Sequence, residues 1–137
     1  MAFSILYIYW NQANAQIEET RSMNDLIERA YMTSEVWFRE GTPKYWNISD
    51  VIDLGLSNDH RFNQTKMNFL STMSYNRSKI LLGISTYEFL FNVTNTTKYP
   101  IYSYGSYPSN AENVVKVKRA GLLDNGTIVF VEITVWE

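Results

Sequence analysis

Apolar and polar positions along this 137-residue chain change their period twice. The opening run, Phe3-Ser-Ile-Leu-Tyr-Ile-Tyr-Trp10, is apolar on every side. From Asn11 onward apolar or small residues recur at Ala13, Ile17, Thr20, Met23, Ile27, Ala30, Ser34 and Trp37, the three-four spacing of one stripe along a helix. The charged residues Glu18, Glu19, Arg21, Asp25, Glu28, Arg29, Glu35 and Arg39 lie off that stripe, and Asp25 to Arg29 is an i,i+4 pair in the favourable order. The pattern predicts one continuous helix over Phe3 to Phe38. At about 1.5 Å per residue it would be a rod of roughly 54 Å, longer than a domain of this size is wide. Its apolar tip is expected to meet something outside the domain.

Beyond the helix the period shortens. Gly41 suits a helix C′ position, with Pro43 stopping continuation. Val51-Ile-Asp-Leu-Gly-Leu56 reads as a short strand leading into a polar loop, Ser57 to Phe62. Two short helices follow: Lys66 to Thr72, capped near Asn63 or Thr65 with Met67, Leu70 and Met73 inward, then one with Ser74 as N-cap, Ile80, Leu81 and Leu82 inward, and Gly83 as its stop. Tyr87 to Thr94 alternates, with Tyr87, Phe89, Phe91 and Val93 on one face. Lys98 to Pro108 is an aromatic loop or broken edge strand.

The last two strands, Asn113 to Leu123 and Thr127 to Trp136, flank Asn125-Gly126, the favoured type I′ pair. A two-residue turn would set Lys118 opposite Ile133 and put Val115 and Val117 on the wrong face. A β-bulge at Ala120-Gly121 corrects this, pairing Val117 with Ile133 and Val115 with Val135. The expected architecture is α+β: a long N-terminal helix packed on an antiparallel β-sheet head, with two short helices between. Residues 1–40 form the helix (apolar tip 3–10, amphipathic 11–38), and residues 41–137 form the head, with the C-terminal hairpin at 113–136.

Composition narrows the function. A formal charge of −2 and the lack of a Lys/Arg run give no basis for nucleic-acid binding. Zero cysteines exclude disulfides and thiolate chemistry. His60 is the single histidine, and Asp59 beside it reads as a solvated loop neighbour; Ser57 and His60 lack a third orienting group. No glycine-rich phosphate loop is present. The chain is therefore expected not to be an enzyme and to need no cofactor or metal. The opening apolar run is about eight residues where a membrane span needs about 20, and it has neither a basic n-region nor a cleavage site. A start in mid-hydrophobic sequence leads to the expectation that the native chain extends upstream.

The segments Glu40-Gly41-x-Pro43-x-x-Trp46, Leu54-Gly55-Leu56, Asn63-x-x-Lys66, Tyr75-x-x-x-Lys79-x-Leu81-Leu82-Gly83 and Tyr87-x-Phe89 resemble archaeal type IV pilin-like proteins, secreted through a class III signal peptide. The resemblance spans about Phe3 to Phe91 and carries no catalytic residue. It implies a structural subunit of an extracellular, cell-surface filament, a homo-oligomer or an assembly with other pilins. Membrane contact would occur only before assembly, through the N-terminal helix. Self-association is expected through Phe3, Ile5, Leu6, Ile8, Tyr9 and Trp10. The class III signal motif itself is missing from these residues.

Sequons independently suggest export. Asn-x-Ser/Thr occurs at Asn47, Asn63, Asn76, Asn92, Asn95 and Asn125, where chance would supply about two (13 × 23/137, from 13 asparagines and 23 Ser plus Thr). N-linked glycans are expected, with Asn63 and Asn76 on exposed surface and simultaneous occupancy of Asn92 and Asn95 limited by crowding. The alternative to a filament subunit is a surface-anchored module binding carbohydrate or protein through Tyr99, Tyr102, Tyr104 and Tyr107, since tyrosine joins apolar area to a hydroxyl.

Overall fold

The computed structural model describes residues 17–137. In chain order the elements are α1 (Ile17–Glu35), β1 (Ser57–Asn58), β2 (Arg61–Phe62), α2 (Gln64–Thr72), α3 (Tyr75–Leu82), β3 (Glu88–Asn95), β4 (Pro100–Gly105), β5 (Val114–Leu122) and β6 (Ile128–Trp136). The fold is α+β, as expected. Among the described residues the long N-terminal helix is not found. α1 has 19 residues, about 28 Å, and ends three residues short of Phe38. The apolar tip Phe3 to Trp10 lies outside the described residues.

Tertiary contacts end α1 where it does. Val36, Trp37 and Phe38 close tight i→i−3 bonds, with their N–H groups donating to Thr33, Ser34 and Glu35 carbonyls at 3.3, 3.3 and 2.9 Å. The carbonyls that a longer helix would use internally are taken by distant groups. Leu56 N donates to Val36 O and Ser57 N to Arg39 O, both at 3.0 Å. The Ser57 hydroxyl donates to Trp37 O, and Lys66 Nζ donates to Glu40 O at 2.6 Å. Trp37 is then free to turn into the core, where its ring meets Phe62, Phe91 and Tyr102 edge-on at 5.2, 5.4 and 6.1 Å.

Gly41 does not cap the helix. Its backbone (φ 82°) is pressed against Gly55, where a Cβ would stand 2.8 Å from Gly55 N and 2.7 Å from Asp53 O. Val51 to Leu56 is accordingly not a strand. Only Asp53 makes a bridge, to Thr42, because the segment has no neighbouring strand: Val51 N donates to Asn47 O, Ile52 N and Asp53 N to Thr42 O, and Leu56 N to Val36 O at the end of α1.

The four-stranded sheet has the order β4-β3-β6-β5, every pair antiparallel. Alternation sorts its faces as read from sequence: Phe89, Phe91, Val93, Val115, Val117, Val129, Val131, Ile133 and Val135 are buried on the inner face. α1 lies across β5 and β6 with Met23, Leu26 and Ala30 buried. At full burial each large side chain contributes roughly 1.5–3 kcal/mol. The aromatic segment is β4, an edge strand with a register shift opposite Val93/Thr94.

In the hairpin Val117 pairs with Ile133 and Val115 with Val135, but without a bulge at Gly121, since the register is unbroken from Val114↔Trp136 to Leu122↔Ile128. The extra residue lies in the turn. Leu123 N donates to Thr127 O and Gly126 N to Leu123 O, both at 2.9 Å, and Gly126 takes φ 88°, a three-residue loop closed by a left-handed glycine. Gly121 answers a packing demand. The Phe62 ring occupies the place of its side chain, and a Cβ would stand 2.6 Å from Phe62 Cε2 and closer to Cζ.

Both short helices carry the predicted caps. Asn63 Oδ1 accepts from Lys66 N at 3.0 Å, Ser74 Oγ accepts from Arg77 N at 3.2 Å, and Gly83 is left-handed at φ 72°. Met67, Leu70 and Met73 are buried as expected; Ile80 is not, standing 69% exposed beside half-buried Leu81 and Leu82. The residues read as a polar loop, Ser57 to Phe62, form a minimal hairpin whose turn residues Asp59 and His60 both take positive φ (51° and 67°).

Candidate functional site

Polar side chains in this fold are mostly spent on tying elements together. Lys66, on the first turn of α2 and 2% exposed, donates from Nζ to Glu40 O at 2.6 Å and to Ser57 O at 3.1 Å. Burial lowers its pKa, with the charge of Glu40 opposing. Tyr75 Oη donates to Glu88 Oε2 at 2.5 Å and accepts from Phe89 N at 2.9 Å, while Lys79 Nζ donates to Glu88 Oε1 at 2.9 Å. Burial works against ionised Glu88, yet the bonds from Tyr75 and Lys79 hold its carboxyl below the usual value; burial pushes Tyr75 upward. A carboxylate held ionised beside a phenol held neutral is a clasp between α3 and β3, unsuited to proton transfer near neutral pH. A similar tie joins Tyr87 Oη to Asp25 Oδ2 at 2.5 Å, with burial and that bond pushing Tyr87 up to about 12.

The residues weighed for catalysis do not converge. Ser57 is buried with its hydroxyl donating to the Trp37 carbonyl, whereas His60 is exposed in the β1–β2 turn. Among the described residues no group of three or more His, Cys, Asp or Glu side chains could hold a metal ion, and no helix is long and apolar enough to cross a membrane.

The four tyrosines are divided. Tyr102 and Tyr104 turn inward, donating to Met67 O on α2 and to Met73 O just past its C-terminal end, each at 2.9 Å; burial pushes Tyr102 up to about 12 and raises Tyr104. Tyr99 and Tyr107 stand out, each 68% exposed. β4 thus fastens α2 to the sheet edge with two tyrosines and leaves two at the surface, rather than presenting one platform. The expected self-association residues Phe3, Ile5, Leu6, Ile8, Tyr9 and Trp10 lie outside the described residues.

All six sequons reach the surface to some degree. Asn47, Asn76 and Asn125 are exposed, while Asn63, Asn92 and Asn95 are half-buried, which corrects the expectation for Asn63. Five of them use the side-chain oxygen locally: Asn47 accepts from Ser49 N, Asn63 from Lys66 N, Asn92 from Ser103 Oγ, Asn95 from Thr97 N and Tyr99 N, and Asn125 from Thr127 N, at 2.8 to 3.0 Å. Each such bond turns the amide nitrogen, the atom a glycan would take, to the other side. Asn92 and Asn95 are three residues apart on β3, so alternation sends them to opposite faces and the expected crowding does not arise.

Among the described residues, open clefts mark the surface at two places. One, about 270 Å³, lies between the end of α1 and the end of α3, with Met32, Leu54, Ile80, Leu81 and Leu82 as its apolar lining and Glu35, Arg39 and Asp53 at its rim. The other, about 300 Å³, lies on the outer sheet face at Asn92, Thr94, Lys98, Pro100, Lys118, Phe130 and Glu132. Sequence reading missed this second grouping, although hairpin pairing alone places Lys118 opposite Glu132. No protein family, curated protein or solved structure matches the chain.

Proposed function

We propose that this chain is a structural subunit of an extracellular archaeal type IV pilus-like filament, associating with copies of itself or other pilins through the apolar segment Phe3 to Trp10. The observation that carries this reading is the anchoring of α1. Leu26, which lies off the predicted stripe, and Ala30 are buried where α1 packs on β5 and β6, Tyr87 bonds Asp25, and Arg119 donates to Glu35 at 2.6 Å while its guanidinium lies 4.1 Å from the centre of the Phe38 ring. The described part of α1 is thus fixed to the head, and the sequence upstream of it concentrates seven large apolar or aromatic side chains in the eight residues Phe3 to Trp10. A segment of that kind in water favours association. The sequon excess and the predominantly structural use of polar groups support a surface protein without catalysis.

Sedimentation of the full chain and of residues 13–137 tests the reading. The full chain is expected to form larger species or to require detergent, and the shortened chain to be a cooperatively melting monomer. A monomeric full chain, or a shortened chain that does not fold, would overturn it.

A further inference from the structure

Register places the neighbours of Asn92 on the outer sheet face without ambiguity. Across the strands one row reads Ser103, Asn92, Glu132, Lys118, and the next reads Pro100, Thr94, Phe130, with Ala120 beyond. Asn92 Oδ1 accepts from Ser103 Oγ at 3.0 Å, toward β4, so Nδ2 points the other way, toward β6. On that side lies the 300 Å³ cleft, floored by half-buried Phe130 and edged by Lys98, Lys118 and Glu132; Lys118 Nζ is 5.4 Å from the Phe130 ring centre. Thr94, the sequon's third residue, lines the same cleft because an extended chain puts positions i and i+2 on one face. The other sequons lie in turns (Asn47, Asn125), at a helix N-terminus (Asn63, Asn76) or at a strand end (Asn95), and none of them lines either cleft.

We infer that Asn92 carries a glycan built into the fold, its first sugar lying in this cleft with a C–H face on Phe130 and hydroxyls toward Glu132, Lys98 and Lys118. An aromatic floor with a polar, mixed-charge rim suits a pyranose, which is apolar on its ring faces and a hydrogen-bonding group around its edge. The donor is a glycosyl diphosphate. Its anomeric C–O bond breaks with the electron pair leaving on the diphosphate, the Asn92 Nδ2 forms the new C–N bond, and the amide gives up one proton to solvent. The inference rests on the export reading above, since only an exported chain meets such a donor.

The test uses full chain purified from a glycosylating, exporting host, with the occupancy of each sequon read by glycopeptide mass spectrometry. Melting of wild type is compared with Asn92→Gln and Asn76→Gln, and melting of Phe130→Ala is compared with and without glycans. Asn92 is expected to be occupied. Its loss should lower Tm by roughly 2–4 °C, where loss of the exposed Asn76 glycan lowers it by less than about 1 °C. Phe130→Ala should lower Tm more in glycosylated protein than in protein from a non-glycosylating host, and Asn92→Gln made in that host gives the cost of the side-chain change alone, which is subtracted. An unmodified Asn92 among occupied sequons overturns this inference and leaves export standing. Equal melting of the Asn92 and Asn76 variants overturns the packing claim. No modification at any sequon of secreted protein overturns the inference, and a chain that is not exported overturns the export reading itself.

Discussion

Replacing Gly121 with alanine probes why a glycine sits inside an otherwise regular strand. The backbone there keeps register with β6 on both sides, so no left-handed conformation is lost. What changes is packing: the new methyl would stand 2.6 Å from Phe62 Cε2 and closer to Cζ, where carbon atoms rest at about 3.5–4.0 Å. Either strand or ring must move by about 1 Å. The ring is 1% exposed and braced edge-on by Trp37 at 5.2 Å and Phe38 at 5.4 Å, so displacement spreads into the core. Overpacking of this kind costs about 1–3 kcal/mol, equivalent to a fall of roughly 2–9 °C in Tm for a domain of this length. Urea melts should show a lower midpoint at unchanged slope. The informative control is Phe62→Leu, which shortens the ring: the double variant should lose less than the sum of the two single changes, by at least about 0.5 kcal/mol. Equal stability of Gly121→Ala and wild type, or additive losses, would refute the packing account. Additive losses would return Gly121 to a backbone role.

Other ties in the fold make further predictions. Lys66→Met removes the donor shared by the Glu40 and Ser57 carbonyls and should cost about 1–3 kcal/mol, measured by urea unfolding, with increased amide exchange at Leu56 and Ser57, whose N–H groups bond to the adjoining end of α1. Tyr75, Tyr87, Tyr102 and Tyr104 all have raised pKa values in the folded state, two of them to about 12, against about 10 in an unfolded chain. The folded state then holds more protons, so this stability is fully present below pH 10 and is lost as pH rises toward 12. Spectrophotometric titration should show these four phenols ionising late, and their ionisation together with the others near pH 10 would contradict the buried hydrogen-bonded geometry.

Elements legible from sequence were those whose cause lies within a few residues. The caps at Asn63 and Ser74 are reached by amides three positions on, and Gly83 ends α3 by its own left-handed backbone. Strand faces followed from a period of two, which held through β3, β5 and β6. The end of α1 was not legible, because its stripe continues to Trp37 while the groups that stop it, Leu56, Ser57 and Lys66, are distant in the chain. Gly121 could be recognised as exceptional but not explained, since Phe62 arrives from another sheet. The Asn92 cleft needed two strand registers at once, only one of which the turn at Asn125-Gly126 specifies.

The spaced residues behind the pilin-like resemblance have a common physical use. Gly41 and Gly55 allow two backbones to touch, and Trp46 Nε1 donates to Gly55 O at 2.8 Å across that crossing. Asn63 starts the helix that delivers Lys66 to the Glu40 carbonyl, Tyr75 and Lys79 clasp Glu88, and Tyr87 holds Asp25 of α1. These ties close the irregular stretch between α1 and α2 and fasten helices to the sheet; none of them presents a group to a ligand. The pattern is thus a specification for folding the head. Stability losses at Lys66 or Gly121 should therefore leave association through Phe3 to Trp10 intact as long as the head remains folded, and deletion of residues 1–12 should leave the Lys66 and Gly121 losses unchanged. Coupling between the two sets would mean that the upstream segment packs on the head, and would remove the physical basis for a subunit that folds alone and assembles through its N-terminus.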